Sequence, residues 1–454
     1  DSVVTNSITL TSSSTAYSTL TSYGGFNGYI NASGGFGTGG HDSVINAERI
    51  TSYGNLVNIG SIQAGEVNLT SGGTFATKVD YTTDTNPRSV ATGDFNGDGK
   101  ADLVTANFET DNVSVLINNG DGTFATHATS TAGNGPYSVA VGDLNGDGKA
   151  DFATASDFDN TVSVFINNGN GTFATKVDYS TTDPRAISIG DLDGDGKADL
   201  AVTNDDLATV SILINNGDGT FATKVDYGTG AKPYSVAIGD LDGDGKADLA
   251  TANYTDGDVS VLINDGDGTF ATHAPSTVGT NPPSVAIGDL DGDNIPDIAV
   301  GANSDDDGGN SRGAVYILFL NTDGTVKSHQ KISSTDGGFL GVLEDGDNFG
   351  VSSTGIGDFN EDNIPDIAIG ASGDDDGGNN RGAVWILLLN ADGTVKGHHK
   401  ISSTTGGFTG TLDNLDAFGL SVTNSGDFNG DGTQDILTGA TGDDDGGGSH
   451  GAAW

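Results

Sequence analysis

Four aspartates recur along this chain in one fixed pattern. In DLDGDGKAD, residues 240–248, Asp240, Asp242 and Asp244 hold positions 1, 3 and 5, and Asp248 holds position 9. The position-7 carbonyl, here of Lys246, can turn inward beside them. Five or more hard oxygens in a flexible cage suit Ca²⁺, which takes roughly 6–8 ligands, while Mg²⁺ demands a tighter octahedron and retains water. Gly245 at position 6 fits a sharp turn with positive φ. Without a cation, four carboxylates in so short a loop would repel strongly.

The loop is repeated. Residues 94–102 offer Asp94, Asn96, Asp98, the Lys100 carbonyl and Asp102. Residues 143–151 offer Asp143, Asn145, Asp147, Lys149 and Asp151, and residues 191–199 offer Asp191, Asp193, Asp195, Lys197 and Asp199. After 240–248 come Asp289, Asp291, Asp293, Ile295 and Asp297, then Asp358, Asn360, Asp362, Ile364 and Asp366, and last Asp427, Asn429, Asp431, Thr433 and Asp435. One such turn would be an ordinary soluble turn. Copies in one register predict about seven Ca²⁺ sites, with affinities of ~10⁻⁴–10⁻³ M as in extracellular modules. Loops with Asn96, Asn145, Asn360 and Asn429 at position 3 hold one negative ligand fewer and are expected to bind more weakly. Asn294 and Asn363 replace the position-6 glycine, the next-best choice for positive φ. An EF-hand is excluded, because that loop needs Glu at position 12 and flanking helices, and position 12 here is Thr105, Thr154 or Val202.

The loops begin 49, 48, 49, 49, 69 and 69 residues apart. Each lies in the same local grammar. In the fourth copy, Ser235–Gly239 leads in, Leu249–Ala252 leads out, Val259–Asn264 follows, and after a DGDGT turn Phe270–His273 supplies a fourth strand. Four short strands per repeat predict an all-β, seven-bladed β-propeller of four-stranded blades. The longer last periods include 331–350 and 400–419, expected to extend outer strands and connections within the same blades. Tyr316 and Trp385 hold equivalent strand positions and are expected to pack between blades. The last repeat stops at HGAAW (450–454), while EVNLTSGGTFATKVDY (66–81) matches the third and fourth strands of other repeats. Residues 65–454 are therefore expected to form the propeller, closed by strands from 66–81. Residues 1–64, rich in Ser, Thr, Gly and Asn, form a separate β-rich lead-in or a β-solenoid fragment.

The 454 residues carry 63 acids against 17 bases, a formal net charge of −46. Phosphate backbones would be repelled, which argues against nucleic acid. With no cysteine, neither disulfides nor thiolate metal sites are possible. No apolar run is long enough to span a bilayer. The chain begins at Asp1 and holds no methionine, as expected of a processed or partial chain.

The acidic loops, the DNFG and DAFG segments (347–350, 416–419) and GAN, GAS and GAT (301–303, 370–372, 439–441) resemble the FG-GAP repeats of integrin α-subunit propellers. The first four repeats, with TAN and TAS in place of GAP, resemble the shorter bacterial FG-GAP-like or VCBS variety. The resemblance covers roughly residues 66–454. It implies calcium loops gathered on one face, stiffening the blades. The opposite face would then carry SDDDGGNSRG (304–313), GDDDGGNNRG (373–382) and GDDDGGGSHG (442–451), able to bind cations, a basic partner or a hydroxyl-rich ligand, or to be a solvated rim. No nucleophile elbow, zinc helix or phosphate loop is present. The expected function is non-enzymatic: an extracellular or cell-surface adhesion or binding module for a protein or glycan. The alternatives are a propeller domain of a secreted carbohydrate-active enzyme or lectin, and a spacer in a large surface protein.

Overall fold

The computed structural model describes the strands between Ser7 and Leu69 as backbone, and then residues 81, 83–120, 123–271, 274–360, 362–406, 408, 410–426, 435–443 and 452–453. Among the described residues there is no helix. The chain divides into two compact units, Asp1–Thr77 with Thr404–Gly410, and Lys78–Ser403 with Thr411–Trp454.

In the larger unit each repeat folds into one antiparallel sheet whose strands pair in chain order. The fourth repeat gives Pro233–Gly239, Asp248–Asn253, Asp258–Leu262 and Ala274–Thr277. Gly239 pairs with Asp248, so the acidic loop is the hairpin connection of the first two strands. Five further four-stranded sheets follow this plan, beginning at Pro87, Pro136, Pro184, Ser284 and Phe349. Consecutive sheets adjoin through their first strands, the arrangement of propeller blades around an axis. The expected fourth strand at 270–273 is displaced. Phe270 makes only an isolated bridge to Asn264, because the DGDGT turn folds back through Asp265 N to Thr269 O. Full pairing resumes at Ala274.

The core lies between sheets. Every residue of Asp248–Asn253 is buried, since a second strand is covered on both faces. One cluster joins Leu144, Val162 and Val164 of the second repeat to Ile187, Leu200 and Leu213 of the third. Another holds Trp385 against Phe339 and Phe349 across the fifth and sixth, while Tyr316 packs at the edge of a cluster joining the fourth and fifth. The longer repeats do extend their outer strands, to Ala314–Leu320 and Val326–Ser333 in the fifth. Their FG and GA motifs interlock across repeats. A Cβ added to Gly301 would lie 1.8 Å from the carbonyl oxygen of Gly350, and one on Gly370 would lie 1.9 Å from that of Gly419. Only glycine permits backbones to meet this closely.

The seventh sheet contains Ser421–Gly426, Asp435–Ala440 and Ala452–Ala453. Its third strand thus comes from the C-terminal HGAAW, with Gly439 paired to Ala453. Of the segment 66–81 expected to close the ring, Glu66–Leu69 belong to the strand Ser61–Leu69, which pairs in parallel with Val44–Ser52. Residues 70–80 lie outside the described residues. In the N-terminal unit, successive strands alternate between two parallel sheets. One is ordered Ser7–Thr11, Tyr29–Ser33, Val44–Ser52, Ser61–Leu69, and the other Ser18–Thr19, Phe36–Gly37, Leu56–Val57.

Candidate metal centre

The sharp hairpin after each first strand folds its acids inward because each carboxylate caps backbone N–H groups of the same turn. In the fourth loop Asp240 Oδ2 accepts from Gly245 N at 2.9 Å. Asp242 Oδ1 accepts from Asp244 N, and Asp244 Oδ1 from Lys246 N, both at 3.0 Å. Gly245 has φ +87°; Asn294 and Asn363 at the same position have φ 68° and 69°, the conformation glycine and asparagine tolerate best. Position 9 does different work. Asp248 is fully buried; its Oδ2 accepts from Leu241 N at 2.7 Å and its Oδ1 from Asn264 N at 2.8 Å. It fastens the start of the loop to the end of the third strand.

These bonds leave oxygens pointing at a common space. In the third, fourth and fifth loops one carboxylate oxygen from each of positions 1, 3 and 9 lies within 4.8 Å of the others: Asp191, Asp193 and Asp199; Asp240, Asp242 and Asp248; Asp289, Asp291 and Asp297. Asp240 Oδ1 is buried and accepts no hydrogen bond. Three converging carboxylates and an orphaned oxygen make a hard, anionic donor set, which fits a divalent cation of the calcium type. Burial raises the position-9 carboxyls despite their backbone donors, with neighbouring aspartates adding to the rise: Asp199 and Asp248 to about 6 and Asp297 to about 7.

The first, second and sixth loops carry asparagine at position 3, so positions 1, 3 and 9 supply two carboxylates there rather than three. In the first, Asp94 spends both oxygens on N–H groups of Gly97, Asp98 and Gly99. Asp143 does the same with Gly146, Asp147 and Gly148. Position 9 keeps its double role in Asp102 and Asp151, while Asn96 and Asn145 accept from Asp98 N and Asp147 N. In the sixth loop Asn360 turns its Nδ2 to Asp366 at 2.8 Å and so acts as a donor there, while Asp358 accepts from Asp362 N and Asn363 N. Asp427, Asn429, Asp431 and Thr433 lie outside the described residues.

Two features were not anticipated from sequence. Every described loop carries an ammonium on position 5. Lys149 reaches Asp147 at 2.6 Å, Lys246 reaches Asp244 at 2.5 Å, Lys100 stands 3.4 Å from Asp98, and Lys197 pairs with Asp195. The lysine beside Asp244 holds its carboxyl below the usual range. Where position 7 is isoleucine, the fourth strand supplies the lysine: Lys327 stands 3.2 Å from Asp293, and Lys396 pairs with Asp362. The second feature is an asparagine after the third strand, at 118, 167, 215 and 264; the amides of the last three join their own loop to the preceding one, while that of Asn118 reaches Ala101 O of its own loop. Its constant offset of 16 residues from the position-9 aspartate was the available signal.

Repeated antiparallel sheets, each turning at an acidic nine-residue hairpin, define a repeat propeller with candidate cation loops. Models of the FG-GAP-like repeat match residues 65–105, 94–154, 143–202, 191–251 and 240–300, and that of the FG-GAP repeat matches 350–387. The chain belongs to the FG-GAP repeat family. No curated protein matches its sequence. Among solved structures it is similar to one titled for specific recognition of non-reducing terminal N-acetylglucosamine by an Agrocybe aegerita lectin, with 21% identity, 70% of this chain and 81% of that chain covered, and a TM-score of 0.45. It is also similar to BBS1N in complex with ARL6DN, soaked with mercury, with 14% identity, coverage of 71% and 84%, and a TM-score of 0.46. No helix among the described residues is long and apolar enough to cross a membrane.

Proposed function

We propose that this chain is a calcium-binding, seven-bladed propeller that acts outside the cell or at its surface as a non-enzymatic adhesion or ligand-binding module. The observation that carries the calcium reading is the run of three consecutive loops, each with three carboxylate oxygens within 4.8 Å, together with the donor-free Asp240 Oδ1. The aspartates at positions 1, 3, 5 and 9, with the position-7 carbonyl, would hold the ion. Bound calcium supplies charge neutralisation that lets a weakly apolar, glycine-rich chain keep its hairpins closed. Cages of this affinity class fill where calcium is millimolar, the condition outside cells. Near-identical repeats suit display of a rigid surface better than one tailored catalytic pocket.

Calorimetric melting of the full chain in millimolar calcium, in magnesium and in excess EGTA tests the reading. A melting temperature raised by calcium alone supports it. Equal melting in all three, with no ion density at the loops of calcium-soaked crystals, rejects it.

A further inference from the structure

The position-5 carboxylate is divided in the same way in every described loop. Its Oδ1 accepts from the backbone N–H of position 7: Asp98 from Lys100, Asp147 from Lys149, Asp195 from Lys197, Asp244 from Lys246, Asp293 from Ile295 and Asp362 from Ile364. Its Oδ2 faces a lysine ammonium. The oxygen that position 5 has left to offer a cation is thus already engaged. Position 5 is also missing from the converging sets, which draw on positions 1, 3 and 9.

In the fifth and sixth loops the ammonium reaches further. Lys327 Nζ stands 3.2 Å from Asp293 Oδ2 and 3.5 Å from Asp291 Oδ2. Lys396 Nζ donates to Asn360 Oδ1 at 3.2 Å and pairs with Asp362. One ammonium therefore bridges the position-3 and position-5 oxygens, the pair that a bound cation would share. The first four lysines start in the loop and these two start on a fourth strand, yet all six end on the same carboxylate oxygen. A lysine needed only for overall charge balance would have no reason to converge in this way. The four loop lysines also have a prepared path for their stems. A Cβ on Gly169 would lie 2.6 Å from Lys149 Cε, and one on Gly266 would lie 2.6 Å from Lys246 Cδ. These turn glycines leave room that any side chain would fill.

We infer that the ammonium is a tethered competitor for the cation: it holds the position-5 oxygen while the loop is empty, and the ion displaces it to gain one more carboxylate. The lysine thereby sets the affinity of its loop without ligating the ion. This rests on the calcium reading proposed above. Two opposite effects follow. Without the ammonium the empty loop keeps uncompensated carboxylates, which weakens the calcium-free fold. The ion then has no charge to displace, which tightens its binding. One unit charge about 4 Å away in solvent corresponds to about fivefold in affinity.

The test is calcium titration calorimetry and melting in EGTA, both on the full chain. The parent is compared with Lys327→Met plus Lys396→Met, with the charge-retaining Lys327→Arg plus Lys396→Arg, and with Lys176→Met plus Lys224→Met. The last pair removes equal charge from lysines that serve Asp178 and Asp226 on fourth strands. The first variant is expected to bind calcium about fivefold more tightly at two sites and to melt lower in EGTA. The other two should keep the parent's affinity. Lys246→Met, at a more exposed lysine, repeats the measurement in the fourth loop should the first variant fail to fold. In calcium-soaked crystals Lys327 Nζ should have left Asp293. Unchanged or weaker binding without the loop lysines, an equal gain from Lys176→Met plus Lys224→Met, or an ion bound with Lys327 still on Asp293 overturns the inference. A parent that ignores calcium rejects the calcium reading and this inference with it. A parent that responds while Lys327→Met plus Lys396→Met and Lys246→Met match it rejects the competitor alone.

Discussion

The side-chain amide of Asn264 donates to the carbonyl oxygen of Leu192 at 2.7 Å, although 72 residues separate them. Leu192 is position 2 of the preceding acidic loop. The second amide hydrogen goes to Ala247 O at 2.8 Å in the loop of its own repeat. Asn215 spans Leu144 and Ala198 in the same way, and Asn167 spans Phe95 and Ala150. Neighbouring loops are therefore keyed together by one residue type.

Removing this key should loosen two blades at once. Asn264→Ala leaves two buried carbonyls without donors, and about 1–3 kcal/mol should be lost for an unsatisfied group of this kind. Asn216→Ala, whose amide only reaches the exposed Thr220, should stay within ~0.5 kcal/mol of the parent. Urea unfolding in calcium compares the two.

The interlocked glycines make a sharper steric prediction. Gly301→Ala puts a methyl 1.8 Å from Gly350 O, whereas the nearest atom to a Cβ on Gly288 is the Leu290 side chain at 3.7 Å. The first should cost about 1–3 kcal/mol or more through forced backbone displacement, and Gly288→Ala should be near neutral. The difference is read as a shift in urea midpoint.

Ligand charge should rank the loops. Asn145→Asp adds a fourth carboxylate to the second loop and should tighten calcium there. Asp240→Asn should weaken the fourth site and reduce the calcium-induced rise in melting temperature. Titration calorimetry of each variant against the parent measures both; unchanged isotherms would contradict the ranking.

A pH effect is expected away from the loops. Burial, with Asp374 beside it, pushes the Asp347 carboxyl from 3.8 up to about 7, although Lys400 pulls the other way. The folded state thus holds this proton more tightly than the unfolded chain does, so ionisation weakens the fold as pH rises through 7 and the loss is recovered as pH falls toward 4. Asp347→Asn should flatten that slope, with its largest relative gain at pH 8. Melting in EGTA at a series of pH values separates this from calcium binding.

Much of the architecture was legible because the loop register is strict. The strands around 240–248 were found within two residues, since Gly, Asp and β-branched residues alternate sharply there. The fourth strand was misplaced at Phe270–His273 because Thr and Phe favour strands locally, while the local turn bond from Asp265 N to Thr269 O leaves Phe270 with only an isolated bridge to Asn264. The three converged carboxylate clusters lie at positions read from spacing alone. The ammonium on each loop was not legible, because Lys327 and Lys396 approach from strands 34 residues beyond the aspartates they serve.

Those lysines bear on how such an array can grow. Whether the ammonium comes from position 7 or from the outer strand, it originates within the same repeat as the carboxylate it meets. A tandem copy of any described repeat would arrive electrically pre-compensated at its loop, leaving only the contacts between neighbouring repeats, such as that of Asn264 with Leu192, to be matched.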